Sequence, residues 1–142
     1  MIHFVGAGSG AADLITVRGA CLLQEADVIV YAGSLVNPAL LDYAKPDASI
    51  YNSASMTLEE VVAMLIQADG QGKNCVRLHT GDPSLYGAHR EQMDLLDAAG
   101  VGYDVVPGVS SFCGAAAALK AEYTLPGVSQ SVIITRMEGR TP

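Results

Sequence analysis

No tryptophan occurs in the chain, and aromatic residues make up only 6% of it. A core built around large rings is therefore excluded. Glycine, alanine and branched aliphatics must supply the packing, which suits closely stacked α/β layers. Charge is sparse too: 16% of residues are charged, with 15 acids against 8 bases and a formal net charge of −7. A general nucleic-acid binder presents a basic face, so no nucleic-acid partner is expected. Cysteine is limited to Cys21, Cys75 and Cys113, an odd number with no CxxC pair. A disulfide framework is not expected, and a reducing, cytoplasmic location fits. No apolar run approaches the ~20 residues a membrane-crossing helix requires, so no membrane partner is expected. The opening MIHFVGAGSG lacks the basic segment of a secretory signal. His3, His79 and His89 share no metal-ligand spacing with a cysteine or carboxylate, so no metal is expected. With no GxSxG elbow and no Cys/His pair, covalent nucleophilic catalysis lacks support as well. Cys113, on an alanine-rich stretch, reads as core.

What is present alternates. Half of the 142 residues are apolar, enough for the core of one compact domain. Strands are predicted at Ile2 to Val5, Asp27 to Tyr31, Cys75 to Leu78 and Tyr103 to Val106. Between them fall helical stretches: Leu14 to Ala26, a short helix opened by Asn37-Pro38, and a helix after Thr57. Further helices run from about Gly87 to Ala99 and from Ser110 to Lys120. Thr57 and Glu60 have the spacing of a capping box. This β-α alternation predicts an α/β fold: an open, largely parallel sheet with helices on both faces. Ligands of such sheets bind beyond the carboxyl ends of the strands. The loops Gly6 to Asp13, His79 to Gly87 and Pro107 to Phe112 should therefore share one edge. After Pro126-Gly127 a further strand, Ser131 to Thr135, opens onto a Gly/Arg loop. Residues 1–128 thus read as one domain, and 129–142 as a linker with the first strand and loop of a second.

Each of those loops has an ordinary and a ligand-binding reading. Gly6-Ala7-Gly8-Ser9-Gly10 lets a ligand approach the backbone, or is simply a turn. It is an incomplete dinucleotide fingerprint, because Ala11 stands where the third glycine belongs and Ala32-Gly33 follow the second strand without an acid. In His79-Thr80-Gly81-Asp82-Pro83-Ser84-Leu85-Tyr86-Gly87, Asp82 could receive ribose hydroxyls or an ammonium group. It could equally cap the helix that follows. Ser110 and Ser111 could cap the last helix, offer groups to a ligand, or both.

Taken together, VGAGSG, RLHTGDPSLYGA and VPGVSSFCGAAAAL resemble the tetrapyrrole methylase family in content, order and spacing. YAGSLVNP, RLHTGDPSLYG and TRMEGRTP are similar to its branch that methylates C11 of precorrin-4 or cobalt-precorrin-4. The resemblance covers essentially the whole chain. It implies a homodimer of two-domain subunits, with S-adenosyl-L-methionine as methyl donor in the interdomain cleft and this chain as the N-terminal half. By position, Ser9, Thr80, Gly81, Asp82, Leu85, Ser110 and Ser111 would contact the donor. Gly8, Gly10, Tyr86 and Arg140 would border the tetrapyrrole. Of the arginines Arg18, Arg90, Arg136 and Arg140, the last is the first choice for a substrate carboxylate. The family's usual Gly-Pro-Gly-Asp-Pro loop is altered here, with Ser9 at the first proline and Ala11-Ala12 at Asp-Pro. Ala32 stands where the uroporphyrinogen enzymes carry an aspartate, so no acid-base role is transferred to it. The alternatives are a nucleotide-binding module without chemistry and another methylase of this fold, of the diphthine synthase type.

Overall fold

The computed structural model describes residues 1–137. Strands β1 (Ile2–Gly6), β2 (Val28–Tyr31), β3 (Ser49–Asn52), β4 (Cys75–His79) and β5 (Tyr103–Val106) form one sheet in the order β3-β2-β4-β1-β5. Every neighbouring pair is parallel. Helices α1 (Val17–Glu25), α2 (Leu58–Gly70), α3 (Arg90–Ala98) and α4 (Ser111–Leu119) follow β1, β3, β4 and β5 in turn.

The strands divide their side chains between two cores, as period-two alternation demands. Val5, Ile29, Val76 and Leu78 pack on one face with Leu23 of α1 and Leu40 of the 3-10 turn Pro38–Tyr43. Ile2, Phe4, Val28, Val30 and Cys75 pack on the other with Val61, Val62 and Leu65 of α2 and Leu96 of α3. Near-continuous apolar strands such as VIVY are what a doubly covered parallel sheet needs.

The chain's capping chemistry fixes where helices start. The Thr57 amide donates to Glu60 Oε2 at 2.7 Å, and the Glu60 amide donates to Thr57 Oγ1 at 3.2 Å, completing the expected capping box. Asn37 caps the Pro38 turn as expected, its Oδ1 accepting from the Ala39 amide. α1 begins three residues later than Leu14, because Thr16 Oγ1 accepts from the Gly19 amide and sets the N-cap there.

One strand lies outside the expectations, and two expectations are corrected. The edge strand β3 carries no sequence signal: its residues are all exposed, so SIYN shows no buried alternation. The strand expected over Ser131 to Thr135 is not formed. Its amides would need a ladder, and no described strand lies alongside. Cys113 is exposed, not core, since α4 stands at the end of the sheet order and buries none of its residues.

Candidate functional site

The strand order sets β4, β1 and β5 side by side, so the loops that leave their carboxyl ends meet. Backbone groups fasten them. The Gly8 amide donates to the Gly81 carbonyl at 3.2 Å, and the Gly81 amide returns a bond to the Gly8 carbonyl at 3.0 Å. The Ala7 amide donates to the His79 carbonyl at 2.6 Å. Gly6 lies so close to its neighbours that a Cβ there would sit 2.6 Å from the Gly81 oxygen and 2.7 Å from Gly108 Cα. Only glycine permits that approach. Asn37 Nδ2 donates to the Gly10 carbonyl at 2.8 Å and ties down the far end of the first loop.

Over this floor opens a cleft of about 540 Å³, within the range of small-molecule sites. The first loop contributes Gly8, Ser9 and Gly10; the second contributes Thr80, Gly81, Asp82, Leu85 and Tyr86; the third contributes Ser110 and Ser111. Every site residue expected from the sequence is thus brought into one cleft, except Arg140, which lies outside the described residues. The cleft also includes Leu35, Phe112, Ile134, Thr135 and Arg136. Sequence reasoning placed Arg136 among its candidate arginines and missed the other four. Leu35 offered a signal in hindsight, being a large apolar residue in a Gly/Ser/Asn loop and 77% exposed.

Asp82 does structural work in its loop. Its Oδ1 accepts from the Ser84 amide at 2.8 Å and from Ser84 Oγ at 2.5 Å. Its Oδ2 accepts from the Gly108 amide at 2.8 Å, which joins the second loop to the third. It is not a helix cap, since α3 starts at Arg90, after His89 at the N-cap position. Burial pushes the Asp82 carboxyl up, but the Ser84 and Gly108 bonds and the nearby His89 outweigh this and hold it below the usual carboxylate range. It is an anion in the cleft wall, with lone pairs to spare on Oδ2.

Ser110 occupies the N-cap position of α4, with φ −68° and ψ 153°, yet its side chain makes no capping bond. The residue is buried in the cleft wall, its Cα 3.6 Å from where a Gly81 Cβ would be. Ser9 Oγ is buried against Gly114 without a hydrogen-bond partner among the described residues. A buried hydroxyl of that kind is uncommon and is a ready contact for a polar ligand.

Behind the second loop lie two buried polar side chains of β4. Arg77 donates from Nε to Gln92 Oε1 at 3.0 Å and from Nη1 to the Val30 carbonyl at 3.2 Å, bracing β4 against α3 and β2. Burial lowers its pKa to about 10, so it stays charged. His79 is 3% exposed and stacks on Phe4, with ring centroids 5.9 Å apart. His89 meets its edge at 5.8 Å. Burial, then the charge of Arg77 and the proximity of His89, push the His79 pKa down to about 3. It is a neutral ring beneath the loop.

Residues 1–142 match the family model described as Tetrapyrrole (Corrin/Porphyrin) Methylases. A cobalt-precorrin-4 C(11)-methyltransferase of Methanocaldococcus jannaschii is 59% identical over 141 residues, 99% of this chain and 54% of that protein. A solved cobalt precorrin-4 methyltransferase superposes with a TM-score of 0.95 at 52% identity, over 99% of this chain and 59% of the other. A uroporphyrin-III C-methyltransferase from Thermus thermophilus, solved with S-adenosylhomocysteine, superposes with a TM-score of 0.72 at 31% identity, over 92% of this chain and 52% of the other. The chain spans about half the length of the curated relatives it matches.

Proposed function

The chain belongs to the tetrapyrrole (corrin/porphyrin) methylases, and on that premise we propose that it forms the donor-binding half of an enzyme methylating C11 of precorrin-4 or cobalt-precorrin-4. The observation that carries the reading is the convergence of the three strand-end loops on one cleft, with Ser9, Thr80, Gly81, Asp82, Leu85, Ser110 and Ser111 in its wall. Residues 1–128 are the donor domain and 129–142 lead into a second domain, in a cytoplasmic homodimer that binds neither nucleic acid nor membrane.

These residues suit S-adenosyl-L-methionine. Ser9 Oγ is a buried polar atom without a partner among the described residues, and Gly81, at φ +59°, brings main chain rather than side chain to the cleft. The donor supplies an already activated sulfonium methyl group. What remains for the protein is to hold donor and acceptor in line and keep water out. Thr80, Gly81 and Asp82 orient the donor's polar groups, and Leu85 gives it an apolar wall. Gly8, Gly10 and Tyr86 border the acceptor, together with Arg140. Asp82 orients rather than takes a proton, consistent with a lowered pKa.

Calorimetric titration with S-adenosylhomocysteine, with NAD as control, tests the reading. Binding of the first alone is expected, and Asp82→Ala should abolish it. Binding of NAD alone would favour a nucleotide module and overturn the proposal.

A further inference from the structure

One exposed leucine on a protein surface means little. Several apolar side chains around one opening mean more. The cleft floor is polar and largely main chain, with Gly81, Asp82 and the buried Ser110. Its rim is different. Leu35, Tyr86, Phe112 and Ile134 reach it from four separate stretches of chain. None of the four belongs to either core, and Leu35 is the most open of them.

Leu35 is held in that position by its loop. Residues 32–37 are fastened along their length. At the start, the Ala32 amide donates to the Leu78 carbonyl at 3.2 Å. Gly33 packs against the Asn52 side chain so closely that an added Cβ would lie 1.9 Å from Asn52 Oδ1. That oxygen is itself fixed, accepting from the Ala54 amide at 2.9 Å. At the far end Val36 is buried in the core with Leu40. Asn37 then bonds in two directions, Oδ1 accepting from the Ala39 amide and Nδ2 donating to the Gly10 carbonyl. With Val36 drawn inward, its neighbour Leu35 faces water. A large apolar group on so firmly tied a loop is preorganised, and covering it costs little ordering.

The Asn37 bond joins Leu35 to Gly10, which borders the acceptor in the reading above. The donor's apolar wall is Leu85, and the donor's polar contacts lie on the floor. A ligand confined to the floor leaves the rim in water. A broad, flat ring system with apolar faces covers it. We infer that Leu35 is a binding and specificity-determining residue, its side chain packing on a face of the tetrapyrrole macrocycle and selecting acceptors by that face rather than by their carboxylates. This rests on the methylase reading above.

Uroporphyrin binding to the chain is followed by porphyrin fluorescence at low and at high salt, and S-adenosylhomocysteine is titrated calorimetrically in parallel. Leu35→Ala should weaken uroporphyrin roughly tenfold, the worth of covering a leucine side chain. The factor should be the same at both salt concentrations, because an apolar contact is not screened as charges are. S-adenosylhomocysteine should bind unchanged. Leu35→Met, of similar volume, should bind uroporphyrin as wild type. Thermal melts of both variants should match wild type, since Leu35 packs in neither core.

Three results would overturn the inference. One is uroporphyrin affinity unchanged in Leu35→Ala. Another is a loss shared equally by S-adenosylhomocysteine, which would assign Leu35 to the donor. The third is a loss that disappears at high salt, which would assign its effect to the carboxylates. A wild-type chain that binds S-adenosylhomocysteine but not uroporphyrin also refutes it while leaving the methylase reading standing. A chain that binds neither removes both.

Discussion

His79 carries a pH consequence that its burial makes calculable. Its folded pKa is pushed to about 3, whereas an unfolded histidine titrates near 6.5. The unfolded chain therefore takes up a proton below pH 6.5 that the native state refuses until much lower pH. The neutral ring's contribution is fully present above pH 6.5 and is lost progressively as pH falls toward the folded value. From pH 7 to pH 5 the loss should be about 2 kcal/mol from this one group. Arg77, charged throughout, and His89 are the titratable or charged groups that face it. Urea unfolding at a series of pH values checks this, and His79→Phe should flatten the slope. A variant with the wild-type slope would show that the proton goes elsewhere. Nothing in the sequence announced this group. The sequence reads a strand that ends at Leu78 and a loop that opens at His79; that the strand runs on to His79 and buries both Arg77 and His79 depends on Gln92, Val30 and Phe4, residues distant in sequence.

Strands and loops obey a different logic, in which backbone proximity matters more than side-chain chemistry. Gly6→Ala would drive a methyl group into the main chain of two other loops. The loss should reach about 3 kcal/mol, the upper end for overpacking, with loss of nucleoside binding as the loops part. Gly70→Ala is the matched control. It ends α2, nothing lies within 4 Å of its missing Cβ, and its φ is ordinary. A gain of about 0.5–1 kcal/mol is expected there. Thermal melts of the two variants should move in opposite directions; a shared direction would remove the distinction between crowded and open glycines. Most of this scale was legible beforehand. Apolar runs, the Thr57 and Asn37 caps and the three loops on one edge all follow from local pattern plus the rule for parallel sheets. β3 was not legible, because an exposed edge strand is defined by its neighbour β2 rather than by its own residues. The failed strand at Ser131 to Thr135 is the reverse: β-branched residues favour extension, but a strand also needs a partner.

At the level of the whole molecule, acidity and exposed apolar surface oppose each other. The chain carries −7 near neutral pH and has an isoelectric point near 4.7. Leu119, Val128 and Ile133 are each more than three-quarters exposed. Association beyond the proposed homodimer should therefore be weak at pH 7 and rise steeply toward pH 4.7 as repulsion fades. Light scattering across that interval measures it, and a flat trace would mean that charge is not what keeps the chains apart. The cleft has its own large-scale consequence. Its floor is largely main chain: Gly6, Gly8, Gly81 and Gly108 pack the three loops together, and the Asp82 carboxylate adds a bond between the second loop and the third. The foundation is thus encoded separately from rim side chains such as Leu35, Leu85 and Phe112. A library randomised at Leu35, Leu85 and Phe112 should stay largely folded while its members diverge in what they hold, whereas one randomised at the four glycines should yield almost nothing soluble. Such a scaffold is easy to re-address, because new preferences can be explored at the rim without renegotiating the foundation.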